Sequence, residues 1–243
     1  ASPAAQYQMA YPYPSRDAAT VVFQGNFDGR WQLYAMKASD GTIRRLHVSP
    51  RDDTHPALSP DGKQLAFISN RSGNDDVWVL DMASGAARAI APHPGKDGHP
   101  KWSPDGRRLL FNRTLEPNDK GGDVDSAIVE VEVAGGPVEI LSDTPRVETF
   151  ASYSPDGRSI AFVEWFPDGS GTRNRNGDIV VVDLASKARR NLTNSPEFDA
   201  YPFWGPSGWV YFSTVFDAPA GREAVLSRVR GNGGEIERIG ALD

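Results

Sequence analysis

Short apolar runs alternate with polar, turn-forming segments along the whole chain. The runs are rich in β-branched and aromatic residues, and none shows the period of a long amphipathic helix. Runs this short, bounded by Gly, Pro, Asn and Asp, predict antiparallel strands. One phenylalanine recurs at the same place in successive stretches, as Phe23, Phe67, Phe111, Phe162 and Phe212.

A repeated tetrapeptide precedes these phenylalanines. Ser-Pro-Asp-Gly stands at 59–62, 103–106 and 154–157, and residues 205–208 and 15–18 are decayed copies. Successive copies start 44, 44, 51 and 51 residues apart. Proline fixes φ, aspartate bonds nearby backbone and glycine accepts positive φ, so each copy predicts a tight turn between two strands.

This repetition predicts the architecture. Each repeat has a short strand before the turn, the phenylalanine strand after it and then two further apolar runs. This gives four strands per repeat. A single sheet of this kind cannot bury both faces, whereas sheets arranged radially pack on one another. We predict an all-β chain in which residues 1–243 form a single domain, a five-bladed β-propeller of four-stranded antiparallel blades. The repeats are expected at about 9–52, 53–96, 97–147, 148–198 and 199–243.

The two ends of the sequence carry matching patterns. Residues 9–12 (MAYP) resemble residues 199–202 (DAYP), so the N-terminal segment is expected to close the ring beside the last repeat. A sixth blade would need residues beyond this sequence.

Composition excludes several classes of protein. The formal charge is −6, with 26 basic against 32 acidic residues, so no basic surface for nucleic acid is expected. No run approaches the roughly 18 apolar residues that a membrane-spanning helix needs. The absence of cysteine excludes disulfides, thiolate metal sites and cysteine nucleophiles. The sequence leaves the oligomeric state open.

Candidate functional residues lie where each repeat begins. The start of the first strand of each repeat is expected on the same face of the propeller as the longest predicted loops, at 114–123, 165–178 and 216–222. These strand entries and loops would surround the mouth of the central channel. Four repeats place an acid at the entry, and every repeat places a large ring two residues after that position. Residues two apart on a strand share a face, so both sets are expected to point toward the channel mouth. The acids are Asp53, Asp97, Glu148 and Asp199, and the rings are Tyr11, His55, His99, Phe150 and Tyr201.

The acids and rings would together form a polar cup with an aromatic rim at the channel mouth, and several kinds of chemistry fit such a cup. It could bind a basic or amide-rich peptide group, a cation or a sugar, or the acids could simply bond the backbone of the next blade. His55 and His99 with their neighbouring acids are candidate ligands for a divalent cation; otherwise no cofactor is expected. Unperturbed histidines would make binding change between about pH 5.5 and 7.5. The acidic, Gly-rich segments 117–125 and 168–172 lack the spacing of an EF-hand calcium site.

An enzyme needs a more specific arrangement. Two carboxyls roughly 5–10 Å apart would serve glycoside hydrolysis, but a Gly-x-Ser-x-Gly nucleophile elbow is missing from the sequence. The main prediction is therefore a non-catalytic propeller that binds a protein or peptide partner. The alternative is a carbohydrate-active enzyme or a sugar-binding module that uses the acidic ring.

The repeat pattern itself resembles a known family. Residues 55–68 and 99–111 follow x-Pro-x-aromatic-Ser-Pro-Asp-Gly-basic-x-apolar-Ala-Phe most closely, and this resembles the TolB-type (PD40, WD-like) β-propeller repeat. The resemblance implies a periplasmic or secreted protein that binds protein partners, notably a peptidoglycan-associated lipoprotein. Similar repeats occur in accessory domains of serine peptidases and in some sugar-acid lyases. The TolB propeller has six blades rather than five, and its N-terminal α/β domain has no counterpart in these residues.

Overall fold

A computed structural model of the chain describes residues 8–117, 123–166, 176–205, 207–218 and 221–239. Within these ranges all regular structure is β-strand, which confirms the all-β prediction. None of the described residues forms a helix with the length and apolar character needed to cross a membrane. Two compact units are present: one runs to Leu109 and includes Val133–Gly136, and the other comprises Leu110–Glu132 and the residues from Pro137 onward.

The first unit contains two four-stranded antiparallel sheets in which neighbours along the chain are also neighbours in space. Their strands are β1 (Met9–Pro14), β2 (Thr20–Gly25), β3 (Gln32–Lys37) and β4 (Ile43–Arg45), followed by β5 (Asp53–Leu58), β6 (Gln64–Ser69), β7 (Asp76–Asp81) and β8 (Ala87–Ala89). Strand β9 (Asp97–Trp102) and the first two residues of β10 (Arg108–Pro117) also belong to this unit.

The second unit holds the rest of β10 and the following strands in the same up-and-down order. They are β11 (Asp123–Glu132), β12 (Glu139–Ser142), β13 (Val147–Tyr153), β14 (Ser159–Trp165), β15 (Gly177–Asp183), β16 (Arg189–Asn191), β17 (Phe198–Trp204), β18 (Trp209–Ala218), β19 (Gly221–Arg230) and β20 (Glu237–Ile239). Short parallel pairings, Ser126 with Val147 and Gly177 with Phe198, link each four-strand group to the next.

The Ser-Pro-Asp-Gly turns form as the sequence predicts. Ser59 Oγ donates to Asp61 Oδ1 over 2.7 Å and accepts a backbone N–H five residues later over 2.9 Å. Gly62 has φ +71°, a value that favours glycine. The same bonds recur in the turns at 103–106 and 154–157. Each turn is therefore held by bonds from its own side chains.

The recurring phenylalanines lie in the core, as predicted. Phe67, Phe111 and Phe162 are fully buried, and Phe212 is nearly so. Alternate residues of β14 pack on opposite sides: Phe162 joins the apolar cluster of β10, β11 and β15, while its neighbour Val163 joins that of β17 to β19. A strand buried on both faces indicates sheets stacked face to face, which is the packing principle of a propeller.

Two of the predicted long loops contain strand residues in their described parts. Strands β10 and β11 occupy residues 114–117 and Asp123 of the segment predicted as loop, and residues 118–122 lie outside the described ranges. The predicted loop at 216–222 is a hairpin whose ladder extends to the pair Ala218–Gly221. The prediction was wrong here because it treated polar residues as loop formers, whereas the ladder of the β18–β19 hairpin continues through such residues, with Asp217 paired to Arg222. Most of the segment 165–178, including 168–172, lies outside the described residues.

Candidate functional site

A β-bulge interrupts the first strand of the repeat, called the inner strand below, in β1, β5, β13 and β17. In β5, Thr54 pairs with Ile68 but Ala57 pairs with Ala66, so one extra residue stands on the inner strand. Strands β1, β13 and β17 show the same shift. The predicted ring residues have left-handed backbone, with φ between +52° and +59°: Tyr11, His55, His99, Phe150 and Tyr201.

The bulge overturns the expectation that the acids and the rings point the same way. A bulge breaks the two-residue alternation of a strand and re-aims the side chain that it carries. Asp53 and Glu148 are fully buried, and Asp97 and Asp199 are at most 5% exposed. The carboxylates therefore do not line an open acidic cup. By contrast, Tyr11 is 43% and Tyr201 55% exposed.

Asp53 is held by an arginine from its own repeat. Arg71 donates through one guanidinium nitrogen to both carboxylate oxygens of Asp53, over 2.8 and 2.7 Å. Its Nε donates to Ser69 Oγ over 2.9 Å, and its guanidinium lies 4.8 Å from the ring centroid of Trp78. This carboxylate is thus neutralised inside the fold by a charge-assisted pair.

The acids of the second unit are bonded in a similar way. Glu148 Oε1 accepts from Ser142 Oγ over 2.8 Å and forms an ion pair with Arg189 over 3.1 Å. Asp199 Oδ1 accepts from Thr214 Oγ1 over 2.7 Å. Burial raises the pKa of both Glu148 and Asp199, because desolvation disfavours the charged carboxylate. These partners explain the acids as structural anchors, and they are side chains rather than the backbone amides that the sequence suggested.

Three ring residues of the first unit converge. The ring centroids of Tyr11 and His55 are 4.1 Å apart, those of His55 and His99 are 4.6 Å apart, and those of Tyr11 and His99 are 6.4 Å apart. In the second unit, Phe150 and Tyr201 lie 4.5 Å apart. Strand entries that are distant in sequence thus bring their rings together within each unit.

His55 does not titrate where the sequence suggested. Burial, with the added positive charge of His99 and Lys101, lowers the pKa of His55 to about 3. The imidazole therefore stays neutral between pH 5.5 and 7.5, and the expected pH response cannot come from His55. Its Nδ1 lies 3.0 Å from Thr54 Oγ1, which leaves the Nε2 side of the ring for other contacts.

In the described part of the chain, no three His, Cys, Asp or Glu side chains are arranged so that they could hold a metal ion. The cation site considered for His55 and His99 therefore has no third ligand among these residues. Their rings contact each other edge to face, with the planes at 76°. This arrangement is that of packed aromatic rings.

Sequence reasoning missed one residue beside this cluster. Lys101 of β9 places its ammonium 4.9 Å from the ring centroid of Tyr13. Burial lowers the pKa of Lys101 to about 8. A signal was present in the sequence, because the other repeats place a residue without charge at this position, namely Tyr13, Ala57, Ser152 and Phe203.

Comparisons with known proteins agree with this fold. The family model described as TolB beta propeller domain (PD40) matches residues 3–164. The Tol-Pal system protein TolB of Gluconobacter oxydans is 38% identical over 64 residues, which are 26% of this chain and 13% of that protein.

Solved TolB structures are similar over nearly the whole chain. TolB from Acinetobacter baumannii superposes with a TM-score of 0.73 at 22% identity, covering 93% of this chain and 52% of that one. A putative TolB from Agrobacterium tumefaciens gives a TM-score of 0.74 at 23% identity, covering 95% of this chain and 80% of that one. The chain thus spans about half the length of the A. baumannii protein. Because the family model covers well over half of the sequence, the chain belongs to the TolB beta propeller domain (PD40) family.

Proposed function

We propose that this chain is a non-catalytic binding propeller that recognises a protein or peptide partner through its ring of strand-entry residues. In this proposal the five repeats form five blades, and the protein works in the periplasm or outside the cell. Membership of the TolB propeller family and the Tol-Pal system name of the G. oxydans relative support both the kind of partner and the location.

The repeated left-handed ring residue is the observation that carries the proposal. A non-glycine residue in this conformation costs of order 1–3 kcal/mol, so it persists only where the surrounding structure imposes it. Here it recurs at five strand entries, all with a tyrosine, histidine or phenylalanine. Tyr11 and Tyr201 remain 43% and 55% exposed. Rigid aromatic rings supply large contact area at low entropic cost and are frequent hot spots of binding.

The alternative of a carbohydrate-active enzyme finds less support. Glycoside hydrolysis needs two carboxyls that reach the substrate. Asp53 and Glu148 are fully buried, and both are bonded to arginine. A carboxylate held in this way cannot protonate a leaving group or attack a sugar without opening the strand entry.

The test compares variants of the strand-entry rings with variants of the Ser-Pro-Asp-Gly turns. A periplasmic fraction is passed over the immobilised protein, and each bound protein is quantified by mass spectrometry. We expect the double variant Tyr11→Ala, Tyr201→Ala to capture its specific partners at least about a hundredfold less, since each of the two hot-spot rings is worth about 1.4 kcal/mol or more, a factor of ten. The control variant is Lys63→Ala, Arg107→Ala, which alters the exposed turns at the other end and should bind as the wild type does.

The opposite pattern would reject the proposal. Undiminished capture by the ring variant, with loss in the turn variant, would place the binding surface on the turns. Turnover of an oligosaccharide that disappears in Glu148→Gln, while the fold survives, would support the carbohydrate-active alternative instead.

A further inference from the structure

Within the described part of the chain, the ammonium group of Lys101 has no counter-charge. Among the described residues, Lys101 makes no hydrogen bond or ion pair, and its ammonium lies 4.9 Å from the ring centroid of Tyr13. Its side chain is partly buried, so water satisfies its three N–H donors less well than at an open surface. An ammonium in such a place favours the approach of an anion.

The acids near this lysine have other partners. β9 packs against β5, β6 and β7, and β1 brings Tyr13 to it. Asp53 of β5 is paired with Arg71, Asp76 of β7 accepts from Ser72, and Asp81 accepts from Ser84. The remaining titratable groups on these strands are Tyr11, Tyr13, His55, Asp97 and His99.

The electrostatics agree with this account. Burial lowers the pKa of Lys101, and no carboxylate among the described residues offsets this effect. The charge of Lys101 is felt instead by His55, whose pKa it helps to lower. Tyr13 stays neutral, because burial raises its pKa. Lys101 therefore places a positive charge beside the neutral rings of His55 and Tyr13.

We propose that Lys101, with His55 and the exposed ring of Tyr11, receives one carboxylate of a peptide partner. This inference rests on the proposed function and deepens it: the partner presents a glutamate, an aspartate or a C-terminus at this point. One cation matches one carboxylate, whereas a phosphate dianion is usually held by several cations or a bidentate arginine. The rings would cover the apolar part of the same side chain.

Binding of this kind has a defined dependence on pH. The carboxylate needs the charged form of Lys101, and this form is lost as the pH rises through about 8. Bound carboxylate stabilises the ammonium and so raises the pKa of Lys101. Binding is therefore expected to take up protons near pH 8 and to weaken above it.

The experiment uses two capped tripeptides, one with a glutamate between glycines and one with a glutamine there. Their binding to the whole protein is followed by NMR at pH 7 and pH 9.5, through the side-chain carbon signals of the lysines. We expect the glutamate peptide to bind at least about tenfold more tightly at pH 7, which corresponds to one good charge-assisted contact. This preference should shrink at pH 9.5, and the Lys101 signal should move.

Three variants make the result decisive. Lys101→Met keeps the apolar stem and should lose the preference, whereas Lys63→Met, in an exposed turn, should keep it. Lys101→Arg retains the charge and should keep the preference, which guards against a fold defect in Lys101→Met. Equal binding of the two peptides by the wild type, or a preference that survives in Lys101→Met, would overturn the proposal.

The outcome is separable from that of the proposed function. Loss of partner capture in the tyrosine variant, with no glutamate preference in the wild type, would leave a binding propeller without this carboxylate site. A glutamate preference that depends on Lys101, with capture unaffected in the tyrosine variant, would support the site and reject the aromatic ring as the main contact.

Discussion

Truncation of Phe162 tests the packing of the strands most directly. Its ring is 0% exposed and lies in a cluster with Leu110, Ile128 and Val180. The guanidinium of Arg189 also lies 5.2 Å from its ring centroid. Phe162→Ala removes this buried ring and leaves a cavity between well-packed strands, for which the expected loss is about 3–5 kcal/mol in the free energy of unfolding.

A matched control lies in the same unit. Phe203 of β17 is 51% exposed, and its ring stacks on Tyr211 with centroids 5.1 Å apart. Phe203→Ala makes the same chemical change but forfeits only that stacking, so about 1 kcal/mol or less should be lost. Urea unfolding followed by tryptophan fluorescence measures both changes. The midpoint for Phe162→Ala should fall by about 1 M or more.

The result can refute the assignment of strand faces. Equal losses for the two variants would mean that burial does not distinguish these positions. A loss under about 1 kcal/mol for Phe162→Ala would mean that its ring is not enclosed, since core truncations of this size cost several times more.

Three further predictions follow from the turns, the buried acids and the histidine. Ser59→Ala removes both side-chain bonds of a turn and should cost about 1–2 kcal/mol, read from the urea midpoint; an unchanged midpoint would contradict it. Arg71→Met leaves Asp53 buried and unpaired and should cost about 3–5 kcal/mol, whereas adding Asp53→Asn should restore part of that loss. The pKa of His55 is about 3 in the folded protein, against an ordinary 6.5. Between these values the unfolded chain binds a proton that the folded protein does not, so stability should fall as the pH drops below about 6.5. His55→Gln should flatten this dependence between pH 7 and 5; an equal slope in the variant would reject the shifted pKa.

The parts of the fold that were predictable are those fixed by local chemistry. Ser59, Asp61 and Gly62 bond one another within a single turn, so the tetrapeptide alone is enough to predict the hairpin. The burial of Phe67 was predictable for a related reason: the phenylalanine stands eight residues after the start of the turn motif in four of the five repeats, and the turn sets which residues pair across it.

The bulge was not predicted, although its signal was present. Proline follows the ring residue in four repeats, as in His55-Pro56 and Tyr201-Pro202. Proline cannot donate to a strand ladder and is confined to edges, first positions and bulges. A proline inside an otherwise regular inner strand therefore indicated a bulge at the ring residue. Treating the strand as an even alternation gave the wrong orientation for the acids relative to the rings.

The partners of the acids could not be predicted in the same way. Arg71 and Arg189 reach Asp53 and Glu148 from hairpins 18 and 41 positions further along the chain. Nothing in the local pattern distinguishes these arginines from exposed ones. The pairing depends on how the hairpins close around the strand entry, which is a property of the assembled sheet.

The bulge also changes which partner the strand entries favour. An even strand would have offered carboxylates beside the rings and so attracted a basic partner. With the bulge, Asp53 and Asp199 are bonded inside their own repeats, and their charge is not presented to a ligand. Near the rings of the first unit lies the ammonium of Lys101, with neutral His55 and Tyr13 beside it. Asp53 and Asp199 therefore act within the fold. In our proposal the lysine that breaks the repeat then favours a partner that presents a carboxylate, the opposite charge from the one that the sequence suggested.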